Sequence, residues 1–111
     1  MKRMDIVWVE LEKKGSVQGG YRPCLIICNN TACAYSPTLI VAPITSSNKK
    51  HIPTHMYLNN VLSKDSTILF EQMITVNKEQ ISSKITELPR NLIRKAEEKI
   101  MISLGLNLAY A

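Results

Sequence analysis

Apolar residues fall in short runs along the chain, and each run ends at a polar or glycine-containing stretch. The runs are rich in Ile, Val, Leu and Thr, and several alternate apolar with polar residues, which is typical of β-strands. The pattern predicts strands at residues 5–11, 22–28, 38–44, 54–58, 66–76 and 85–88. Cys24, Ile26 and Cys28 share one face of the second strand, which predicts that both cysteines are small core residues.

One helix is predicted, at the end of the chain. Pro89 stands at the expected first helical position, and Gly105 is a typical helix-ending residue. Between them, apolar or small residues recur at spacings typical of a helix, at Leu92, Ile93, Ala96, Ile100, Ser103 and Leu104. Asn77 and Gln80 have the spacing of a capping box, which predicts a short helical turn that ends before Ile85.

These elements predict a fold that is mainly β with an α component (α+β). About six short strands with a terminal helix are typical of a small, strongly bent SH3-like barrel. The chain has 111 residues, of which 45% are hydrophobic, enough for one domain over residues 1–111 without a metal or disulfide. Aromatic residues make up only 5%, which predicts an aliphatic core and no extended aromatic stacking surface.

The charge balance favours a polyanionic partner without proving one. Fourteen Lys and Arg against nine Asp and Glu give a net charge of +5, which a solvated lysine-rich surface explains equally well. No apolar stretch approaches the ~20 residues of a membrane span, and the three cysteines form no CxxC pair. We therefore expect a cytoplasmic protein with no membrane partner, no disulfide framework and no zinc site.

Side chains with familiar catalytic chemistry are few. His51 and His55 are the only histidines, and Pro53 argues against the helix that would bring them onto one face. We expect both to be surface residues near a loop, and we expect neither a metal site nor a cofactor. Two histidines alone likewise do not support a paired-histidine ribonuclease site.

Residues 18–23, Gln-Gly-Gly-Tyr-Arg-Pro, are more unusual and lie at the entrance of the second strand. The two glycines let the backbone approach a ligand closely, and the proline restricts Arg22 to an extended conformation. Arginine binds phosphate through paired hydrogen bonds and can stabilise the extra charge of a phosphoryl transition state. The residues alone fit equally well an arginine that only extends toward solvent at the start of a strand.

At these residues the sequence resembles the MazF/PemK family of toxin endoribonucleases. Four landmarks occur in the family's order, and the similarity runs over nearly the whole chain. They are residues 5–9 (DIVWV), residues 15–23 (GSVQGGYRP), residues 36–46 (SPTLIVAPITS), and a longer set that runs from residues 53–55 (PTH) through 64–66 (KDS) and 71–72 (EQ) to 102–106 (ISLGL).

The resemblance implies a compact CcdB/PemK-type barrel of short antiparallel strands, a homodimer, and sequence-selective cleavage of single-stranded RNA, chiefly mRNA, without a metal ion. In such enzymes the ribose 2′-OH attacks the adjacent phosphorus and leaves a 2′,3′-cyclic phosphate and a new 5′-OH. The resemblance also implies a cognate MazE-like antitoxin whose disordered segment occupies the RNA groove.

Matched residue by residue, the resemblance makes Arg22 the catalytic arginine and Thr45 the catalytic threonine. Arg22 would bind the scissile phosphate, and the Thr45 hydroxyl would donate a further hydrogen bond to it. Arginine keeps its proton to about pH 12, so electrostatic stabilisation and acid–base transfer both stay open as roles for Arg22. RNA contacts are expected at Ser16, Gln18, Gly19, Gly20, Ser46, Lys49, Gln72 and Thr75.

Three positions depart from the family pattern. Met4 replaces a glycine, Val17 an acidic residue, and Ile74 the arginine of a Gln-x-Arg-Thr motif. Losing the acid and the arginine removes groups that contact RNA, so weaker, altered or absent activity is consistent with the sequence. Two alternatives therefore stay open: a CcdB-like toxin that acts by binding a protein, and a degenerate relative that only binds antitoxin.

Overall fold

An antiparallel sheet and a C-terminal helix dominate the computed structural model, which describes residues 1–12, 15, 19–46 and 52–106. Its strands are β1 (Asp5–Leu11), β2 (Gly20–Ile26), β3 (Thr38–Thr45), β4 (His55–Leu58), β5 (Ser66–Leu69), β6 (Ile74–Asn77) and β7 (Ile81–Glu87). The helices are α1 (Asn30–Tyr35) and α2 (Ile93–Ser103), and 3₁₀ turns lie at Phe70–Gln72, Lys78–Gln80 and Arg90–Leu92. The predicted fold class, mainly β with a C-terminal helix, is confirmed.

Strand β3 occupies the centre of the sheet and pairs with three others. The order is β4-β5-β3-β2-β1-β7, with β6 also paired to β3, and every pairing is antiparallel. On one edge β3 pairs with β2, where Cys24 lies opposite Pro43. On its other edge β3 pairs first with β6 and then with β5, where Thr45 lies opposite Thr67.

The single strand predicted at residues 66–76 is wrong, because the structure has two strands there, β5 and β6, separated by a 3₁₀ turn. Ile44 of β3 pairs with Ile68, and Val41 pairs with Ile74. Three positions along β3 therefore correspond to six along the partner segment, so the partner cannot be one continuous strand. The 3₁₀ turn Phe70–Gln72 holds the extra residues. The turn also sends the Phe70 side chain into the core, where it is fully buried.

The sheet buries apolar side chains on both faces, because successive residues of a strand point to opposite sides. One face, with Ile6, Leu25 and Phe70, packs against α2 through the buried Ala96. The other face holds Cys24, Ile26 and Cys28 together, which confirms the prediction that these cysteines are core residues. Most of both interiors is aliphatic, as the composition predicts.

Helix α1 lies between β2 and β3, where the sequence pattern predicts neither a strand nor a helix. The Asn29 side chain accepts a hydrogen bond of 2.8 Å from the Ala32 amide and so caps the helix N-terminus. Cys33 is the buried residue of α1 and joins the second apolar face. The helix has only six residues, too short to show an apolar periodicity in the sequence.

The C-terminal third follows the prediction with shifted boundaries. The capping box of Asn77 and Gln80 is present, but its turn ends at Gln80 and β7 starts at Ile81, before the predicted strand at 85–88. Gly105 ends the helical region with a φ of +72°, a conformation that favours glycine. Leu104 was predicted on the apolar face, yet it is 60% exposed.

Met4 occupies a left-handed position with a φ of +72°, so the family's glycine there has a conformational reason. A non-glycine residue in this region costs roughly 1–2 kcal/mol. The Met4 side chain is buried against the α2 face of the sheet, and this packing offsets the cost. The departure from the family pattern at Met4 is therefore one of packing rather than of RNA contact.

Candidate active site

The sheet opens between β2 and β3, and the two candidate catalytic residues lie on either side of the opening. Beyond the Cys24–Pro43 pair, β2 continues with β1 alone, whereas β3 continues with β5 alone. Arg22 and Thr45 each lie two residues past that last pair, at the same level. The register therefore places the two residues across the opening from each other.

Arg22 is oriented by its own loop. Its Nε donates a hydrogen bond of 3.0 Å to the carbonyl oxygen of Gly19, and its side chain is half-buried. Within residues 1–12, 15, 19–46 and 52–106, no carboxylate forms an ion pair with Arg22. The guanidinium is thus positioned by a neutral acceptor, and its charge is available to an anion.

Thr45 and Ser46 provide hydroxyl groups at the opposite rim. Thr45 is 3% exposed at the end of β3, so its hydroxyl is held in a fixed environment. Ser46 follows it and is exposed. Gly20 has a φ of +81°, and a Cβ there would meet open space, so backbone conformation rather than crowding favours glycine at the Arg22 loop.

The remaining predicted RNA contacts divide into two groups. Thr75 is exposed on β6 opposite Ile40, about 16 Å along β3 from Thr45, and Gln72 lies in the turn that precedes β6. Thr75 does not belong to the Arg22 opening itself, whereas the turn that carries Gln72 lies between the β5 and β6 pairings with β3. Ser16, Gln18 and Lys49 lie outside the described residues, as do Val17 and His51.

A cavity of about 400 Å³ lies at the opening. Trp8 and Tyr21 stack in it with ring centroids 5.4 Å apart, a contact that the low aromatic content did not predict. Its lining residues are Trp8, Tyr21, Arg22, Pro23, Ile44, Ser46, Leu62, Ser63, Lys64, Ser66 and Ile85. Arginine, lysine and serine side chains therefore share one recess with two aromatic rings.

His55 is buried, not on the surface as the sequence predicted. Its side chain is 8% exposed, and its Nε2 lies 2.9 Å from Glu71 Oε2. The Thr54 hydroxyl donates to the other Glu71 oxygen at 2.9 Å. Burial acts to raise the pKa of Glu71, but hydrogen bonds from His55, the backbone and Thr54 outweigh it and hold the pKa below its usual value. This cluster fixes the turn that carries Gln72, because Glu71 precedes it.

The thiol nearest the opening is not a nucleophile. Burial raises the pKa of Cys24 to about 12, against the opposing effect of the Arg22 charge. The thiol is therefore protonated at neutral pH, and the reactive form of cysteine is the thiolate. Across the part of the chain that the structure describes, no group of three or more His, Cys, Asp and Glu side chains is arranged to hold a metal ion.

Residues 2–104 match the family described as PemK-like, MazF-like toxin of type II toxin-antitoxin system. The chain belongs to this family. A curated relative, the endoribonuclease MazF of Staphylococcus saprophyticus, is 44% identical over 96% of this chain and 93% of its own length. The resemblance expected from the sequence is confirmed.

Solved structures with the same fold are more distant in sequence from this MazF/PemK-family protein. An endoribonuclease from a mycobacterial species, in complex with its cognate antitoxin, superposes with a TM-score of 0.83 at 18% identity, over 96% of this chain and 97% of that one. MazF from Deinococcus radiodurans also gives a TM-score of 0.83, at 20% identity and the same coverage. In the described ranges of this family member, no helix is long and apolar enough to cross a membrane.

Sequence reasoning missed two features of the site. Tyr21 stands inside the Gln-Gly-Gly-Tyr-Arg-Pro segment, yet its stacking partner Trp8 belongs to another strand. Lys64 enters the cavity from the segment between β4 and β5, which carried no pattern of its own. The signal available was the landmark KDS at residues 64–66, which the resemblance included without a role.

Proposed function

We propose that Arg22 and Thr45 carry out the RNA cleavage of this toxin endoribonuclease, on single-stranded RNA, chiefly mRNA, in the cytoplasm and without a metal ion. The observation that carries the proposal is the Arg22 guanidinium, which is oriented by Gly19 and faces the sheet opening at the level of Thr45. A phosphate diester in this opening meets a fixed cation on one rim and hydroxyl groups on the other.

The cleavage is a transfer of the phosphoryl group within the RNA strand. The ribose 2′ oxygen forms a bond to the adjacent phosphorus, the bond from phosphorus to the 5′ oxygen breaks, and the proton of the 2′-OH is balanced by one that reaches the leaving oxygen. Negative charge grows on the phosphoryl oxygens between these events. Arg22 stabilises that charge with paired hydrogen bonds, and Thr45 adds one more from its hydroxyl.

RNA binding extends beyond the reacting phosphate. Gly19, Gly20 and Ser46 border the opening, whereas Thr75 lies further along β3 and Gln72 lies in the turn before β6. An RNA strand that touches both groups must run along β3 for several nucleotides, which is consistent with recognition of a short RNA sequence. Ile74 stands where the family has an arginine, so the RNA-binding surface near Thr75 lacks one cationic contact to the RNA.

The experiment that tests the function is cleavage of a long single-stranded RNA by the purified protein in EDTA, with the cut sites and their ends mapped. We expect discrete cuts that end in 2′,3′-cyclic phosphate and 5′-OH, at a rate unchanged by the chelator. Strong inhibition by EDTA that an added metal ion reverses would contradict the metal-free mechanism. Absence of cuts on several RNAs would favour a protein-binding or degenerate toxin.

Replacing Thr45 with alanine is expected to lower kcat by about 10-fold to 100-fold with little change in KM. The reason is that its hydroxyl contacts charge that grows only in the transition state. Single-turnover kinetics on a short RNA containing a mapped cut site measures this split, and Thr45→Ser is the matched variant because it keeps the hydroxyl. A rise in KM alone would assign Thr45 to substrate binding instead.

Two partners complete the proposal. A solved structural relative is held in complex with its cognate antitoxin, and we propose a MazE-like antitoxin for this chain, bound over the RNA groove. We also propose a homodimer, on the family resemblance. Light scattering at micromolar concentration is expected to give twice the chain mass of 12.5 kDa, and a monomeric mass would refute the dimer.

A further inference from the structure

We propose that the stacked rings of Trp8 and Tyr21 form a shelf that binds one nucleobase of the RNA substrate, next to the phosphate held by Arg22. The proposal rests on the proposed function, since it deepens the description of the same site. It assigns a role in substrate positioning to two aromatic residues that the sequence did not place together.

The shelf is held rigidly by three strands. Trp8 lies on β1 and Tyr21 on β2, and their ring planes differ by only 4° with centroids 5.4 Å apart. The Tyr21 hydroxyl is hydrogen-bonded to the Ser82 hydroxyl on β7. One end of the Tyr21 ring is thus anchored and the ring stacks against Trp8, so binding needs little further ordering.

The outer face of the Tyr21 ring is open. Tyr21 is 56% exposed while it stacks against Trp8, so the ring surface that Trp8 does not overlap is open to a ligand. An exposed aromatic face of this kind accepts any base, because every base has a flat π-surface. The geometry therefore favours a stacked planar ligand.

The surroundings favour a nucleotide over an apolar peptide segment. Arg22 and Lys64 enter the same cavity, and Ser46, Ser63 and Ser66 add hydroxyl groups, whereas no described acidic residue lines it. Lys64 forms no ion pair within the described ranges, so its charge is available to a neighbouring phosphate. A base on the shelf and phosphates on the two cations match one short piece of RNA.

The test uses the RNA sequence that the wild-type protein cleaves, made as a set of short oligonucleotides with one abasic nucleotide each. We expect one position beside the cleaved bond at which loss of the base lowers kcat/KM by about 10-fold. The loss of kcat/KM on removal of one base is the abasic penalty of that position. In Tyr21→Leu we expect this penalty to disappear at the position beside the cleaved bond and to stay as in wild type at the other positions. Such position-specific coupling is not produced by a general loss of structure.

Matched variants separate the ring from the rest of the side chain. Tyr21→Phe keeps the ring and is expected to keep the abasic penalty. Tyr35→Leu makes the same change at a tyrosine that is 85% exposed on α1, beyond the other end of β2, and is expected to leave every penalty unchanged.

A second measurement needs no variant, because Trp8 is the only tryptophan of the chain. An RNA with a 2′-deoxy nucleotide at the cut site lacks the attacking hydroxyl and stays intact when bound. We expect binding of this RNA to change the Trp8 fluorescence. We expect no such change when the RNA lacks the base whose removal affects wild type but not Tyr21→Leu.

Equal abasic penalties in wild type and Tyr21→Leu, with an unchanged Trp8 signal, overturn the shelf while RNA cleavage stands. A wild-type protein that cleaves no RNA overturns the proposed function and the shelf together, so the two failures are distinguishable. Normal RNA cleavage by Tyr21→Leu combined with weaker binding of the antitoxin also overturns the proposal and assigns the rings to a protein partner.

Discussion

Arg22→Ala is expected to lower kcat/KM for RNA cleavage by about 10³-fold or more while the protein keeps its fold. A single preorganised donor to a developing oxyanion contributes about 10²–10³ in rate, and Arg22 offers a full charge with paired donors. Within the described residues its side chain bonds to the Gly19 carbonyl, a half-exposed loop group, so the variant leaves little unsatisfied. Initial rates on a mapped oligonucleotide, with circular dichroism for folding, measure the effect.

The control for Arg22→Ala is Arg94→Ala, which removes the same charge from α2. Arg94 is 92% exposed and pairs weakly with Glu98 at 3.9 Å, so this variant is expected to cleave RNA at the wild-type rate. Equal losses in both variants would mean that net charge, not the site, matters. Toxicity that survives Arg22→Ala would favour action by protein binding.

Arg22→Lys distinguishes the two roles that stayed open for the arginine. Lysine keeps the charge but loses the planar fork, so an electrostatic role predicts an intermediate rate with an unchanged pH profile. An acid–base role predicts a pH profile displaced on the alkaline side, because a lysine ammonium loses its proton near pH 10.

Local patterns predicted the parts of the fold that depend on neighbouring residues. Strands β1 and β3, the capping box at Asn77 and the helix stop at Gly105 all follow from period, turn chemistry or backbone freedom within a few residues. The family landmarks added Arg22 and Thr45, which no local pattern could pair. Their placement at one level depends on the β2–β3 register.

The features that sequence reasoning missed are contacts between distant parts of the chain. Tyr21 and Ser82 are hydrogen-bonded although they are 61 residues apart in the sequence, and His55 and Glu71 are hydrogen-bonded at a separation of 16 residues. Neither pair has a spacing that a strand or helix period would reveal. The break at Phe70 was missed for a related reason, since a 3₁₀ turn inside an apolar run looks the same as a continuous strand.

Phe70→Ala is expected to give the largest loss of stability, about 3–5 kcal/mol in the free energy of unfolding. Phe70 is the only phenylalanine of the chain, is fully buried, and packs in the cluster shared by the sheet and α2. Natural domains of this kind have only about 5–15 kcal/mol of stability, so this loss is a large fraction of the total. Urea unfolding followed by circular dichroism measures the change.

The consequence of Phe70→Ala for activity follows from the position of its turn. The turn, which includes Gln72, connects β6 to β5, whose Thr67 pairs with Thr45, so its collapse disturbs the rim of the opening. Phe70→Leu is expected to lose about 1–1.5 kcal/mol because it keeps most of the buried volume. Tyr35→Ala, on an exposed side chain, should change stability by no more than about 0.5 kcal/mol. A loss below about 1 kcal/mol in Phe70→Ala would mean that the cluster closes over the missing ring.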